Sequence, residues 1–259
     1  MTVHPLAEPF HSEGDDASPR RGIGVLLSHG FTGSPASMRP WAEYLAAQGY
    51  AVSVPRLPGH GTTWQDMNKT SWADWSGEIA RAFEALSDQV ESVFVCGLSM
   101  GGGLALRLAA DHPDRVAGLV LVNPAVAPDR KDVKLLSVLK HLVPSLGGIA
   151  NDIKKPGVEE HGYTQTPLRA ADSMFKGYKI LRDDLGRITC PLLLMRSAED
   201  HVVGPSSARI ILGSVASTDA REEILENSYH VATLDNDAER IFEGSAAFIE
   251  RVSGAVSGG

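Results

Sequence analysis

The chain has 259 residues, a formal net charge of −8 and an apolar fraction of 43%. This length and apolar content are enough for one large core in a single α/β domain. The acidic balance gives no electrostatic reason to bind nucleic acid or an anionic membrane surface, so nucleic acid is not expected as a partner.

The N-terminal residues contain no apolar core of signal-peptide length, and no apolar run is long enough to span a bilayer. A cytoplasmic location is therefore expected. The two cysteines, Cys96 and Cys190, lie at the ends of apolar, strand-like runs. This placement is typical of buried small apolar side chains rather than of a disulfide or of metal ligands.

Short apolar runs alternate with helical patterns from residue 22 onwards. Strands are predicted at 22–29, 50–55, 92–97, 116–124, 191–197 and 221–226. Helices are predicted at 35–49, 71–86, 100–113 and 237–252. The first strand run is almost continuously apolar, as expected for a strand buried on both faces. The alternation predicts an α/β fold in which helices cover both faces of a mostly parallel sheet.

One stretch breaks this alternation. Residues 125–187 lie between two predicted strands, contain no clear strand and are punctuated by proline and glycine. We interpret them as a cap inserted after the strand that ends near Asn123, with 1–124 and 188–259 forming the core domain. Apolar side chains share one helical face in this stretch; they are Leu135, Leu136, Leu139, Leu142 and Val143. Packing of the cap against the core explains them as well as an acyl tunnel or contact with a lipid surface does.

Residues 97–101 read Gly-Leu-Ser-Met-Gly, between a predicted strand and a predicted helix. Glycine two residues before and two after Ser99 lets the flanking backbone approach closely at a sharp turn. The Ser99 hydroxyl then stands clear at the carboxyl end of the sheet, and the following helix points its amino terminus at the site. This context predicts a nucleophilic serine; the alternative is a glycine-rich turn with an incidental serine.

A serine hydroxyl needs a base, and the base needs an orienting acid. His230 lies in a loop after a predicted strand and before the last helix, and Asp200 follows another predicted strand, which ends at residue 197. Loops at the carboxyl edge of a parallel sheet are where catalytic groups gather. The chain order of Ser99, Asp200 and His230 is the one expected for this architecture. Glu199 is the competing acid and His201 the competing base.

The oxyanion of an acyl-transfer reaction needs two donors. One is expected from the backbone N–H of Met100, the residue after the serine. The other is expected from Phe31, because the turn at 29–35 follows the first buried strand and places a backbone N–H beside the nucleophile. The ring of His29 is interpreted as a structural group that stiffens this turn.

Five stretches carry a family resemblance: HGFTGSP, PRLPGHGT, GLSMGG, EDHVV and NSYHVATLD. Together they resemble the α/β-hydrolase serine esterases, in particular the bacterial monoacylglycerol lipases and closely similar carboxylesterases. The resemblance runs from about residue 20 to about residue 250. It implies Ser99 as the nucleophile, Asp200 as the acid and His230 as the base, with oxyanion amides at Phe31 and Met100.

The segment NDIKKPGVEEHGYTQTP, residues 151–167, resembles the cap of the same lipases, in which a glutamate hydrogen-bonds the glycerol hydroxyls. The resemblance places that glutamate at Glu160, and it implies a pocket-lining role for Ile149 and a position near the head group for Asn123. Without the resemblance, Glu160 reads as one of a solvated acid pair on a surface turn. The residues HGY that follow depart from the family's commoner apolar pair.

The implied reaction is hydrolysis of a monoacylglycerol to fatty acid and glycerol through an acyl-enzyme, with no cofactor and no metal. A broad short-chain carboxylesterase, in which Glu160 has no substrate role, is the alternative enzyme. A ligand-binding receptor on the same scaffold is the non-enzymatic alternative. The expected partners are the lipid ester and, transiently through the cap, a micelle or membrane surface. The sequence leaves acyl length, regioselectivity and oligomeric state open.

Overall fold

A seven-stranded sheet forms the centre of this computed structural model, which describes residue 3 and residues 5–15, 17–128 and 136–254. The strands in chain order are β1 (Phe10–Ser12), β2 (Ile23–Ser28), β3 (Ala51–Val54), β4 (Ser92–Leu98), β5 (Val116–Val122), β6 (Ser145–Gly147), β7 (Gln165–Pro167), β8 (Leu192–Ser197) and β9 (Ala220–Leu225). The helices are α1 (Arg39–Ala47), α2 (Trp64–Met67), α3 (Trp72–Ser87), α4 (Met100–Asp111), α5 (Leu136–Leu139), α6 (Leu168–Asp184), α7 (Ser206–Ser214) and α8 (Ala238–Gly254).

The strand order of the large sheet is β1-β3-β2-β4-β5-β8-β9. All neighbouring pairs are parallel except β1 and β3, which pair antiparallel with Phe10 opposite Val54. The predicted α/β fold with a mostly parallel sheet is therefore confirmed. The edge strand β1 is an addition that the sequence did not predict, because three residues are too few to show an alternating pattern.

Two apolar clusters cover the two faces of the sheet. Trp75 and Phe83 of α3 pack with Leu104 of α4 in one cluster. Trp41 of α1 packs with Phe248 of α8 in the other. Both clusters draw side chains from the same strands, since successive residues of a strand point to opposite faces. This double burial explains why the central strands read as continuous apolar runs.

The described parts of residues 125–187 comprise a helix that packs in the core and, before it, a two-stranded hairpin. Helix α6 packs on α3 and α4, and its Tyr178 and Leu181 belong to the core cluster. Ahead of it, β6 and β7 pair antiparallel, with Ser145 opposite Pro167. The expectation that this stretch contains no strand is thus corrected. The described residues 136–167 are called the hairpin segment below; the division into a core domain and a 125–187 cap stays a prediction.

The predicted apolar face from Leu135 to Val143 does not form one continuous helix. Leu135 lies outside the described residues, and α5 ends at Leu139. Leu142, a member of the predicted face, is 76% exposed, so it does not pack against the core. The packing explanation for Leu142 is therefore wrong, because its side chain projects from the hairpin segment towards solvent.

Backbone atoms crowd the turn that joins β4 to α4. A Cβ on Gly97 would lie within 3.0 Å of the Gly101 carbonyl, and one on Gly101 would lie equally close to the Ser28 carbonyl. Real Cβ atoms essentially never come that near to backbone. The two glycines therefore allow the strand, the turn and the helix to approach each other, as the sequence pattern predicts.

Replacing Gly101 by alanine should destabilise the fold, since the atoms it would meet belong to backbone and cannot rotate away. We expect Gly101→Ala to lower the free energy of unfolding by about 3 kcal/mol. Gly213, in α7, is the matched control because a Cβ there meets nothing within 4 Å. Gly213→Ala should raise the free energy of unfolding by up to about 1 kcal/mol. Urea denaturation followed by tryptophan fluorescence measures both; equal effects at the two positions would contradict the crowded turn.

Candidate active site

Ser99 occupies the crowded turn in a strained conformation, with φ 56° and ψ −119°. Positive φ is uncommon for a residue with a Cβ and costs free energy that neighbouring contacts must offset. The Ser99 N–H donates to the Val122 carbonyl at 3.0 Å, and the Ser99 carbonyl accepts from Ala125 N–H at 3.1 Å and from Gly102 N–H at 3.0 Å. The turn is thereby tied to the end of β5 and to the first turn of α4.

The Ser99 side chain borders a cavity of about 370 Å³. The core contributes Phe31, Ser99 and His230 to its wall, and the hairpin segment contributes Ile149 and Glu160. Its apolar wall includes Leu98, Ala125, Met174, Phe175, Tyr178 and Val203. The lining thus combines the candidate catalytic groups with an apolar surface suited to hydrocarbon.

Asp200 and His230 form a hydrogen-bonded pair beside this cavity. His230 Nδ1 lies 2.8 Å from Asp200 Oδ2, and the two side chains are only 9% and 4% exposed. The other carboxylate oxygen, Oδ1, accepts the N–H groups of Val202 and Val203, each at 2.8 Å. Asp200 is therefore fixed by its own loop, and it orients the imidazole of the next loop.

The competing acid and base are placed differently. Glu199 is 56% exposed and lies 3.5 Å from His201 Nε2. His201 is 48% exposed, and its Nδ1 lies 2.7 Å from Asp152 Oδ1. Neither residue pairs with His230 or Asp200 as the predicted acid and base do. The geometry supports the predicted pair over its competitors.

The charges of the pair stabilise each other. Burial alone would lower the pKa of His230, but the hydrogen bond and charge of Asp200, with smaller contributions from Glu160 and Asp152, raise it above its ordinary value. Burial would likewise raise the pKa of Asp200, but the hydrogen bond and charge of His230 hold it below its usual range. The site therefore stabilises an imidazolium beside a carboxylate, which is the state that a general base reaches during catalysis.

The predicted oxyanion donors are Met100, which follows Ser99 in the chain, and Phe31, which follows Gly30. Met100 is the first residue of α4, and an N–H at that position has no acceptor within the helix. The turn that carries Phe31 lies against the serine, since a Cβ on Gly30 would sit 3.3 Å from Ser99 Cβ. The assignment of Phe31 and Met100 as oxyanion donors stays a prediction, and this proximity supports it.

His29 holds that turn in place. Its Nδ1 donates to the Gly30 carbonyl at 3.0 Å, and its Nε2 accepts the Leu57 N–H at 3.2 Å. Burial lowers the pKa of His29 to about 4, so the ring is neutral with a defined tautomer. Both nitrogens are used by backbone, which agrees with the structural role expected for this ring.

The Glu160 carboxyl group enters the cavity from the hairpin segment. Its Oε1 lies 2.6 Å from the position that a Cβ on Gly33 would occupy, so the glycine leaves room for it. The Glu160 N–H donates to Asn151 Oδ1 at 2.8 Å, which ties these two residues of the hairpin segment together. Burial raises the pKa of Glu160 to about 7, and the charge of His230 opposes that rise. Ile149 lines the same cavity, although it is 61% exposed.

The predicted place of Asn123 near the head group is corrected. Its side chain is buried and does not line the cavity. Asn123 Nδ2 donates to the His230 carbonyl at 2.8 Å and to Ser197 Oγ at 3.0 Å, and Oδ1 accepts the Ser197 N–H at 2.7 Å. The amide joins the end of β5 to β8 and to the histidine loop, which is a structural role away from the cavity.

Asp152 is a site residue that the sequence analysis missed. It lies in the hairpin segment, lines the cavity and accepts the backbone N–H of His230 at 3.1 Å. Its sequence neighbours form no motif that marks it, because its partners come from distant parts of the chain. Only the folded arrangement brings it to the histidine loop.

Comparison with known proteins places the chain in a family. The model of the family described as serine aminopeptidase, S33 (Hydrolase_4) matches residues 19–237. A thermostable monoacylglycerol lipase of Bacillus sp. (strain H-257) is 41% identical over 252 residues, covering 96% of each chain. A carboxylesterase of Bacillus subtilis (strain 168) is 27% identical over 246 residues, covering 95% of this chain and 97% of that one.

Solved structures agree with these relatives. A structure from work on the metagenome-derived lipolytic enzymes LipS and LipT has a TM-score of 0.91 and 43% identity, covering 96% of this chain and all of that one. A monoacylglycerol lipase of Paleococcus ferrophilus has a TM-score of 0.77 and 22% identity, covering 98% and 99% of the two chains, and shows the shared fold. The resemblance drawn from the sequence motifs is confirmed: the chain belongs to the Hydrolase_4 (serine aminopeptidase, S33) family of α/β-hydrolases.

Proposed function

We propose that this protein hydrolyses monoacylglycerols to fatty acid and glycerol through an acyl-enzyme on Ser99. One observation carries the proposal: the imidazole of His230 is oriented by Asp200 at 2.8 Å and borders the same cavity as Ser99 and Glu160. The relatives named as a monoacylglycerol lipase and a carboxylesterase support the same class of reaction.

The proposed reaction has two halves. Ser99 Oγ attacks the ester carbonyl carbon while His230 takes its proton, and the amides of Phe31 and Met100 stabilise the oxyanion. The C–O bond to glycerol then breaks as His230 returns the proton to the leaving oxygen. A water molecule, deprotonated by His230, attacks the acyl carbon, and Ser99 regains its proton as the fatty acid leaves. Asp200 stabilises the imidazolium in both halves.

The proposed head-group contact is Glu160. A carboxylate accepts hydrogen bonds from two adjacent hydroxyls, and a glycerol head group offers two. Because burial raises the pKa of Glu160 to about 7, the carboxylate form gains population as the pH rises through neutrality. The apolar wall of the cavity suits the acyl chain at the other end of the substrate.

Two other activities, those of an aminopeptidase and of a broad carboxylesterase, would differ from the proposed one in the substrate that is cleaved. The family description names aminopeptidases, and a carboxylate at Glu160 would also attract the ammonium group of a peptide N-terminus. A broad carboxylesterase would not use Glu160 at all. We favour the glyceryl ester because the long matches of higher identity are a monoacylglycerol lipase and a lipolytic enzyme.

We also propose that the hairpin segment acts as a cap that meets the lipid aggregate holding the substrate. Its exposed apolar side chains are Val138, Leu142, Leu146 and Ile149, which are 63%, 76%, 47% and 61% exposed. Ile149 belongs to both this surface and the cavity wall, so the surface leads towards the candidate nucleophile. Contact would be apolar and weak, since the chain carries a net charge of −8.

No described helix combines the length and the apolar character needed to cross a membrane. The cytoplasmic location expected from the sequence stays a prediction, which fractionation of the native cells would test: recovery of the protein with the secreted fraction would contradict it.

The substrate prediction is tested by comparing glyceryl and ethyl esters of the same acid, di- and triacylglycerols, and an aminoacyl anilide. We expect the monoacylglycerol to have the highest kcat/KM. Glu160→Gln should reduce the preference for monoacylglycerol over ethyl ester by about tenfold, the effect of losing roughly one charged hydrogen bond. Glu159→Gln is the matched control, since that side chain is 66% exposed.

In the wild type, the preference for the glyceryl ester should increase as the pH rises through about 7, the pKa of the Glu160 carboxyl. It should be flat with pH in Glu160→Gln. Equal kcat/KM for glyceryl and ethyl esters in the wild type would reduce the proposal to a broad carboxylesterase. Faster cleavage of the anilide would favour the aminopeptidase.

The proposed lipid contact is tested by comparing turnover of substrate below and above its critical micelle concentration. Leu142→Ser combined with Leu146→Ser should lower turnover of micellar monoacylglycerol several-fold and leave turnover of a monomeric short-chain ester unchanged. Leu6→Ser is the control, because Leu6 is also exposed, at 54%, but lies outside the hairpin segment. Equal losses on micellar and monomeric substrate would contradict the proposed contact.

A further inference from the structure

Asp152 links the hairpin segment to both loops that carry the proposed acid and base. Its side chain is only 10% exposed. Oδ2 accepts the backbone N–H of His230 at 3.1 Å and that of His201 at 3.2 Å, and Oδ1 lies 2.7 Å from His201 Nδ1. Its main-chain carbonyl also accepts the Val231 N–H at 3.1 Å. One residue therefore fastens the segment to the loop after β8 and to the loop after β9.

We propose that Asp152 is a positioning residue for the reaction: through these bonds it holds His230 in its working place, and it does so only while the hairpin segment is seated on the core. This inference rests on the proposed roles of Ser99 and His230. It makes the segment part of the catalytic machinery, in addition to forming one wall of the cavity.

A second carboxylate, that of Asp235, also joins the hairpin segment to the loop after β9 but does not bond His230. Asp235 is buried at the start of the last helical region, and its oxygens accept the N–H groups of Lys154 at 2.7 Å, Lys155 at 2.9 Å and Tyr229 at 2.9 Å. Asp235 thus joins the hairpin segment to the loop after β9, which it contacts at Tyr229, the residue before His230. Asp152 differs from it in bonding His230 directly.

The charge of Asp152 also acts on the His230 imidazole. The charged groups that face His230 are Asp200 from the loop after β8, and Glu160 and Asp152 from the hairpin segment, and all three raise its pKa. Loss of the charge on Asp152 should therefore lower the pKa of His230, in addition to loosening its backbone.

The charge of Asp152 is itself partly balanced. His201 lies against it, and His201 Nε2 lies 3.5 Å from Glu199. Glu199 in turn lies 3.9 Å from Lys154 Nζ. The hydrogen bond to Asp152 raises the pKa of His201, so the cationic form of that ring is stabilised. Removing His201 should leave the Asp152 charge less balanced and raise the pKa of His230.

The pH dependence of kcat/KM on a soluble p-nitrophenyl ester tests the inference. A general base must be neutral, so kcat/KM increases as the pH rises through the pKa of His230 in the free enzyme. At low ionic strength, Asp152→Asn should move this midpoint down by about half a pH unit, and the fraction of neutral imidazole well below the midpoint should increase about threefold. Asp235→Asn, the matched control, should leave the midpoint in place even where it lowers stability.

His201→Asn provides a second variant should Asp152→Asn fail to fold, and it should move the midpoint in the opposite direction, to higher pH. NMR titration of the His230 ring in a Ser99→Ala background gives a readout that does not depend on turnover; His230→Gln assigns the signal. Unchanged His230 midpoints in both Asp152→Asn and His201→Asn would overturn the positioning role. Ester turnover that survives in Ser99→Ala would instead overturn the proposed function, and the NMR result would still be readable.

Discussion

The close approach of backbone between Gly97 and Gly101 is the constraint on which the proposed site depends. It permits a turn in which Ser99 adopts φ 56°, a conformation that costs on the order of 1–3 kcal/mol for a residue with a Cβ. Hydrogen bonds to Val122 and Ala125 offset that cost by tying the turn to the neighbouring strand end. The result is a hydroxyl fixed at the carboxyl edge of the sheet, where the loops after the other strands also end.

Around this fixed hydroxyl, three carboxyl groups face one imidazole. Asp200 comes from the core, whereas Glu160 and Asp152 come from the hairpin segment, and together they outweigh the burial that opposes a charged His230. The hairpin segment therefore contributes to the electrostatics of the proposed base as well as to the cavity wall. Seating the segment and stabilising the imidazolium are coupled, because the Asp152 carboxylate does both.

The sheet and the three catalytic candidates were predictable because their signals are local. Each buried strand is a short apolar run, and each candidate directly follows or closely follows a strand, so the ends of parallel strands bring them to one edge. The glycines beside Ser99 mark the turn within five residues of sequence.

The remaining features depend on contacts between distant residues. Asn123 pairs with Ser197, 74 residues away, and Asp152 pairs with His201 and His230, 49 and 78 residues away. No local pattern specifies such partners, so the sequence suggested a substrate role for Asn123 and gave no role to Asp152. The exposure of Leu142 was equally unpredictable, since helical spacing of apolar side chains does not show whether they face the core or the solvent. Placement of Glu160 at the cavity came from family resemblance, because two adjacent acids otherwise indicate a solvated turn.

The central claim is that Ser99 is a nucleophile activated by His230, and covalent labelling tests it most directly. A fluorophosphonate reacts with an activated serine and not with an ordinary hydroxyl, so intact-protein and peptide mass spectrometry should find one adduct per chain, on Ser99. The adduct should be absent in Ser99→Ala and form at least about a hundredfold more slowly in His230→Gln, the size of a typical general-base contribution. A folded wild-type protein that stays unlabelled, or that carries its adduct elsewhere, would contradict the account and favour a binding protein built on the same scaffold.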